Sequence, residues 1–274
     1  MRPGRSDSPR KVVVIGAGIT GLTAARELAR GRAEVIVLEA APRIGGKVRT
    51  ENVDGVTVET GPDSFVTLKP EMLELVNELG LQDELVCTAP DPTVCIFKEG
   101  RLVPLPAGMN LVSPTKLLPF AFSTLFSMQG KLRMALEPLI PVGKGLEDES
   151  LADFARRRLG AEALDVLVGP LLAGIYAGDP EKMSIKSTFP QLLEMEKRGG
   201  LVKSMWLGGP KRARREGITT FMTIKNGLSR VIDALARSLP AGTVRTDCPA
   251  QAVRRRGGRW EVVTPRGVFA ADAV

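Results

Sequence analysis

An α/β fold is predicted for this 274-residue chain by three observations. The apolar run Lys11–Ile15 breaks into a glycine-spaced turn, a helical pattern follows over Thr20–Arg30, and a second apolar run covers Glu34–Glu39. Two short apolar runs joined by a helix make a unit of about 30 residues, the size of a parallel βαβ crossover. Lys11–Ile15 reads as a fully buried parallel strand, since it does not alternate. In the helix, Leu22, Ala25, Leu28 and Ala29 recur at helical spacing.

Further along, Pro70–Leu79 reads as a helix closed by Gly80. Asn110–Pro141 is apolar but interrupted by Pro114, Pro119 and Gly130. Helical patterns return at Ser150–Leu159 and Ala161–Val168, and the glycine- and arginine-rich stretch Arg198–Gly217 reads as a connector. Asn226-Gly227 leads into a helix over Leu228–Leu239. A strand-rich tail follows: Thr243–Thr246, Ala252–Arg256, a Gly257-Gly258 turn, Trp260–Thr264 and Val268–Val274. The final apolar pattern carries no turn signal, so the natural protein is expected to continue beyond it.

Composition narrows the chemistry. Hydrophobic residues at 43% and charged residues at 25% fit a globular chain able to bury a sizeable core. An aromatic share of 4% argues against stacking platforms for nucleic acid. The net charge of +7 arises from the clusters Arg156-Arg157-Arg158, Lys211–Arg215 and Arg254-Arg255-Arg256. Each is read either as solvated surface or as attraction for an anionic ligand or membrane. Histidine is absent, which removes the commonest general base and metal ligand and every Ser-His or Cys-His nucleophile. Any chemistry must come from a cofactor or from unusual residues, and no metal site or catalytic side chain is expected. Cys87, Cys95 and Cys248 form no CxxC pair and read as ordinary buried thiols of a reducing compartment. The apolar run after the basic first ten residues reads as a strand, not a signal peptide. No stretch reaches the ~18 apolar residues needed to span a bilayer.

Gly16, Gly18 and Gly21 give G-x-G-x-x-G between the first strand and its helix. Gly16 permits the turn, Gly18 lets a pyrophosphate touch the backbone, and Gly21 lets the helix pack closely. The helix amides of Ile19 and Thr20, with Ala17 before them, then face the phosphates. Glu39 ends the second strand 18 residues after Gly21, placed to accept hydrogen bonds from a ribose, with Ala40 beside it. This is a dinucleotide site; the alternative is a glycine turn with a purely structural role.

Arg43, Gly45, Gly46 and Lys47 in "RIGGKVRT" suit a second close approach to a long anionic cofactor. The segment resembles the R-x-G-G-[KR] element of the flavin amine oxidase superfamily, which implies FAD and not a nicotinamide. "VETGPDSF" resembles that superfamily's loop near the flavin ring and carries Gly61, Pro62, Asp63 and Ser64. "GPLLAGIYAGDPEKMS" contains the single tyrosine, Tyr176, between Gly174 and Gly178. With its continuation it is similar to a segment of the oxygen-dependent protoporphyrinogen (or coproporphyrinogen) oxidases, where it borders the tetrapyrrole pocket. The resemblance covers about residues 11–274.

The fold implied is a Rossmann-like FAD-binding domain with an inserted, mainly helical substrate- and membrane-binding region. Its expected parts are 10–68 and 217–274 for FAD, 69–108 for the start of the substrate region, and 109–200 for the helical membrane and pocket region. The activity implied is six-electron oxidation of a porphyrinogen to a porphyrin in haem synthesis, with O2 as acceptor. Gly174, Ala177 and Gly178 would wall a flat macrocycle beside Tyr176, which is otherwise a core tyrosine on a glycine-lined helix contact. Lys69 would pair with a propionate, or is a surface lysine. Ala250 would meet the adenine through its backbone. The region Leu111–Ile140 would lie on a membrane or pack in the core, and the protein would be cytoplasmic or on a membrane's cytoplasmic face. The relatives implied are longer, so residues 1–274 alone are expected to hold FAD weakly. Other flavin amine oxidases, carotenoid-type desaturases and a non-catalytic FAD-binding fragment are the alternative readings.

Overall fold

Three consecutive valines and an isoleucine extend from Lys11 to form strand β1 (Lys11–Ile15), which Gly16 ends with φ 98°. Helix α1 (Ile19–Arg30) carries the chain back to β2 (Glu34–Leu38), which pairs with β1 in parallel from Lys11↔Glu34 to Ile15↔Leu38. The computed structural model describes residues 9–67, 69–89, 94–106, 117–143, 148–206 and 217–274. The basic start of the chain, Pro114 and the 211–215 cluster lie outside the described residues. The chain divides into two units: Met1–Ala89 with Arg214–Val274, and Pro90–Ala213.

In the first unit, two hairpin strands, β3 (Thr50–Val53) and β4 (Val56–Glu59), turn at Asp54-Gly55, both with positive φ. They are followed by β5 (Phe65–Val66), α2 (Glu71–Glu78) and β6 (Leu85–Cys87). The sequence reading lacked the hairpin, although an Asp-Gly pair is a strong turn signal.

The second unit opens with the hairpin β7 (Cys95–Lys98) and β8 (Arg101–Pro104) and is otherwise helical. Its helices are α3 (Leu117–Phe122), α4 (Met128–Ala135), α5 (Leu151–Leu159), α6 (Ala161–Ala163), α7 (Gly169–Tyr176), α8 (Ile185–Thr188), α9 (Pro190–Lys197) and α10 (Leu201–Trp206). Ser150 caps α5 by accepting a hydrogen bond from the Asp153 amide at 3.0 Å. The expected helix over Ala161–Val168 widens into a π turn at Leu164–Val168. Pro170 accounts for it: the ring has no N–H for the Val166 carbonyl and crowds the preceding turn. Residues 201–206, expected as connector, are helical.

The chain then returns to the first unit through β9 (Phe221–Ile224), α11 (Ser229–Arg237) and strands β10 (Val244–Arg245), β11 (Ala252–Arg256), β12 (Arg259–Thr264) and β13 (Gly267–Ala271). The three-stranded parallel sheet has the order β1-β2-β10, and β11-β12-β13 form an antiparallel meander. Another sheet has the order β5-β9-β6. Leu22 and Ala25 of α1 pack with Val35, Val37, Val231, Ile232 and Leu235 into one core, so α1 and α11 share a face of the parallel sheet. The architecture is the α/β, Rossmann-like fold predicted, with a mainly helical insertion.

Three expectations change. β1 is parallel but not fully buried: Val13 is 2% exposed and Ile15 46%, because β1 lies at the sheet's edge, flanked on its outer side by the isolated Val12↔Ala273 bridge. The second strand stops at Leu38, leaving Glu39 just beyond it. Of the cysteines, Cys248 is buried, but Cys87 is exposed on the outer strand β6 and Cys95 is partly exposed.

Of Arg156-Arg157-Arg158, only Arg156 is the exposed surface residue that one reading expected, while Arg157 is partly and Arg158 fully buried. Arg158 is 1% exposed and pairs with the fully buried Glu137, and donates to the Ile140 carbonyl at 2.7 Å. Glu137 also accepts from the Leu201 and Val202 amides at 3.0 and 3.1 Å. Arg157 bridges Glu149 and Glu196, and Arg156 bridges Asp153 and Glu181. The triplet ties α5 to its neighbours. Arg254-Arg255-Arg256, by contrast, lies along the exposed strand β11, with Arg255 over the Trp260 ring at 5.8 Å.

Candidate functional site

Gly21 sits in the first turn of α1 against the Gly16 carbonyl, where a β-carbon would collide with that oxygen. Gly16 and Gly18 have no atom within 4 Å of where a β-carbon would stand, so the backbone there borders open space. The helix begins at Gly18 with no side-chain cap and no acidic residue in its first turn. Its leading amides therefore have no capping side chain, and the positive end of the helix dipole borders that space.

Glu39 closes one side of this turn. Its Oε2 accepts from the Ala17 amide at 2.7 Å and its Oε1 from the Ala41 amide at 2.9 Å. Each carboxylate oxygen keeps a lone pair for another donor. The Asp247 amide donates to the Ala41 carbonyl at 3.1 Å and the Cys248 amide to that of Glu39 at 2.8 Å. These bonds bring the half-buried Ala250 segment alongside Glu39 and the exposed Ala40.

The second glycine pair is locked to the first. Gly45 donates to the Ala17 carbonyl at 2.8 Å and bridges Gly18, while a β-carbon on Gly46 would lie 3.3 Å from Gly18 Cα. Gly45 has φ 103°, and a β-carbon there would stand 2.7 Å from the Val48 carbonyl. Glycine is required on both grounds. Arg43 folds over the loop, donating to the Gly46 carbonyl at 2.8 Å.

Gly61 approaches the Lys47 backbone so closely that any side chain would overlap its carbonyl oxygen. A pocket of 620 Å³ opens here, lined by Arg43, Gly46, Lys47, Arg49, Thr60, Gly61 and Pro62. Arg49 and Thr60 were not among the residues expected. Both lie next to motif residues, and Arg49 belongs to the same basic octapeptide. Ser64 donates to Asp63 at 2.8 Å. Lys69 is exposed in the loop before α2.

The hairpin carrying Lys47 and Gly61 is held by residues the sequence reading missed. Glu59 accepts from the Leu228 amide at 2.6 Å and from the Thr50 hydroxyl at 2.8 Å. Thr50 and Ser229 exchange two further hydrogen bonds, of 2.8 and 3.0 Å. No local pattern links residues 50, 59 and 229.

In the second unit, Tyr176 ends α7 and Ala177 turns left-handed with φ 48°. Tyr176 is 49% exposed, which removes the core reading, and its ring meets Phe189 edge-on at 5.5 Å. Gly174 borders open space, whereas Met183 Sδ would stand 2.9 Å from a β-carbon on Gly178. Gly178 thus packs against the Met183 side chain and does not border open space. Among the described residues no group of three His, Cys, Asp or Glu is placed to hold a metal.

A glycine turn, free helix amides and a carboxylate beyond the second strand define a dinucleotide-binding α/β protein. The flavin containing amine oxidoreductase family matches residues 19–274, and the chain belongs to that family. Coproporphyrinogen III oxidase of Bacillus subtilis (strain 168) is 36% identical over 98% of this chain and 60% of its own length. The chloroplastic protoporphyrinogen oxidase of Nicotiana tabacum is 37% identical over 76% of this chain and 36% of its own. A crystal structure assigned as a protoporphyrinogen oxidase, from Exiguobacterium sp. 255-15, is 35% identical with a TM-score of 0.80, covering 98% of this chain and 59% of that one. The chain thus spans about three-fifths or less of these relatives.

The family's cofactor is FAD, and the residues fit it. The open space at Gly16 and Gly18 leaves room for a pyrophosphate against the backbone, which a larger side chain would fill. Glu39 keeps acceptor capacity for a ribose, and the cation-lined pocket at Lys47 suits an electron-rich ring end.

Proposed function

We propose that the protein to which this chain belongs oxidises a porphyrinogen to a porphyrin in tetrapyrrole synthesis. The observation that carries this reading is 36% identity across 98% of the chain to a coproporphyrinogen III oxidase. The flavin supplies the redox chemistry: six hydrogens leave the porphyrinogen while three O2 become three H2O2.

The chain's own residues bind and orient. Gly16–Gly21 hold the pyrophosphate, Glu39 the ribose, and Ala250 and Ala40 flank the adenine end. Arg43, Gly45, Gly46 and Lys47 carry the cofactor toward Gly61, Pro62, Asp63 and Ser64 at the ring. Lys69, which is exposed, pairs with a propionate. In the second unit, the open space over Gly174 and the half-exposed Tyr176 and Ala177 support a surface for a flat ligand, with Gly178 shaping the turn. No side-chain base is required, which agrees with the lack of histidine.

Leu118, Phe122, Met128, Leu132, Leu136 and Leu139, apolar and all exposed, support contact of the second unit with a membrane surface. Among the described residues no helix is long and apolar enough to cross a membrane.

The test is anaerobic mixing of the FAD-loaded protein with coproporphyrinogen III and, separately, protoporphyrinogen. Flavin bleaching, then peroxide and porphyrin fluorescence on admitting air, is expected. Bleaching by an amine and by neither porphyrinogen would move the protein to an amine oxidase reading.

A further inference from the structure

The sheet β5-β9-β6 exposes an apolar face that neither the cofactor site nor the core uses. Its register pairs Val66 with Phe221 and Val86 with Thr223, and residues 221 and 223 share a face of β9. Val66, Phe221 and Val86 are 40%, 38% and 42% exposed. Beside them opens a mainly apolar pocket of 260 Å³ that includes Cys87, Met222 and the loop residues Asp63 and Ser64.

That loop is the link to the cofactor. Residues 60–62 line the cation-rich pocket by Lys47, and residues 63 and 64, the next two in the chain, line this one. The contact of Gly61 with the Lys47 carbonyl pins the segment between them. The two pockets differ in chemistry: the first holds Arg43, Lys47 and Arg49, while the second has Asp63 as its one charged residue.

We propose that this face and its pocket form a wall for the pyrrole body of the substrate, with Val86 and Phe221 against the apolar rings and Cys87, which the register puts on the opposite face of the sheet beside Met222, at the pocket's rim. This rests on the reading of the protein as a porphyrinogen oxidase. The assignment follows from complementarity. A tetrapyrrole joins an apolar ring body bearing N–H donors to anionic propionates. A pocket whose exposed surface is mainly apolar, with the hydroxyls of Ser64, Thr88 and Thr223, one carboxylate and no cation, accepts the former and repels the latter. Its volume suits a substituted pyrrole and not a whole macrocycle, so it is one wall of a larger site.

Cys87 makes the test direct. In FAD-loaded protein, coproporphyrin III binding is followed by its absorption, and N-ethylmaleimide addition at Cys87 is timed by peptide mass spectrometry. Bound coproporphyrin is expected to slow alkylation several-fold. Val86→Asp should weaken coproporphyrin binding by roughly tenfold or more, since a carboxylate would have to be desolvated against the ring, while FAD content is retained. Coproporphyrin that binds normally yet leaves Cys87 alkylation and the Val86→Asp affinity unchanged overturns the wall and leaves the proposed function standing. FAD-loaded protein that binds no coproporphyrin overturns both.

Discussion

The amide of Ala17 donates to Glu39 Oε2 across 2.7 Å, joining the glycine turn after β1 to the residue after β2. The bond ties the two segments that flank the open turn. Removing the carboxylate loosens that tie and takes away the acceptor that the proposed function gives to the ribose.

Glu39→Ala is therefore expected to weaken FAD binding by roughly tenfold to a hundredfold, the loss typical of about 1.5–3 kcal/mol for hydrogen bonds to a charged group. Equilibrium flavin fluorescence titration measures it. Unchanged affinity would show that the ribose does not use this carboxylate.

Gly61→Ala forces a methyl group onto the Lys47 carbonyl oxygen. The hairpin must shift, at a cost of about 1–3 kcal/mol in stability. If the Gly61 loop lies at the flavin ring, as the proposed function has it, the visible spectrum of the FAD-loaded variant should alter, whereas substitution at the exposed Val56, in the same hairpin, should leave it unchanged. Side-by-side absorption spectra and melting curves check both.

Within the second unit, Arg158→Met leaves the buried Glu137 without its charged partner. A loss of about 3–5 kcal/mol is expected, as for other broken buried pairs. The double variant Arg158→Met, Glu137→Leu removes both charges and should recover part of that loss. It cannot recover all, because the Leu201 and Val202 amides lose their acceptor. Denaturant unfolding of the three proteins gives the comparison.

Acid should destabilise the same unit. Burial alone would raise the Glu196 carboxyl, but the hydrogen bond from Arg157, the Gly143 amide and the charges of Arg157 and Arg158 outweigh it and hold the group below its ordinary 4.5. Glu162 is likewise lowered against burial, by the hydroxyl and amide of Ser127 with Lys98 and Lys131 nearby. A carboxyl depressed in the folded state contributes fully above its ordinary value and loses that contribution as pH falls through the folded one. Melting temperature is expected to drop below about pH 4.5, with a shallower drop in Glu196→Gln. A flat profile through that range would contradict the assignment.

Short-range patterns in the amino-acid order determined a good deal here. β1, α1 and β2 followed from apolar runs around one glycine motif, and β11 matched residue for residue, because pleat and helix periods act over a few neighbours. The dinucleotide motif was legible for the same reason: its glycines and carboxylate act through backbone geometry set within 25 residues. Tertiary structure alone decided the rest. Arg158 became a buried ion-pair partner while Arg254, in a similar triplet, stayed in solvent. The sheet of residues 65–66, 85–87 and 221–224, and the support that Ser229 and Leu228 give to the hairpin before the Gly61 loop, join positions more than 130 residues apart. Such choices depend on which surfaces meet once the chain collapses, and the cost of burying a charge or an unpaired amide is settled by partners that no local window contains.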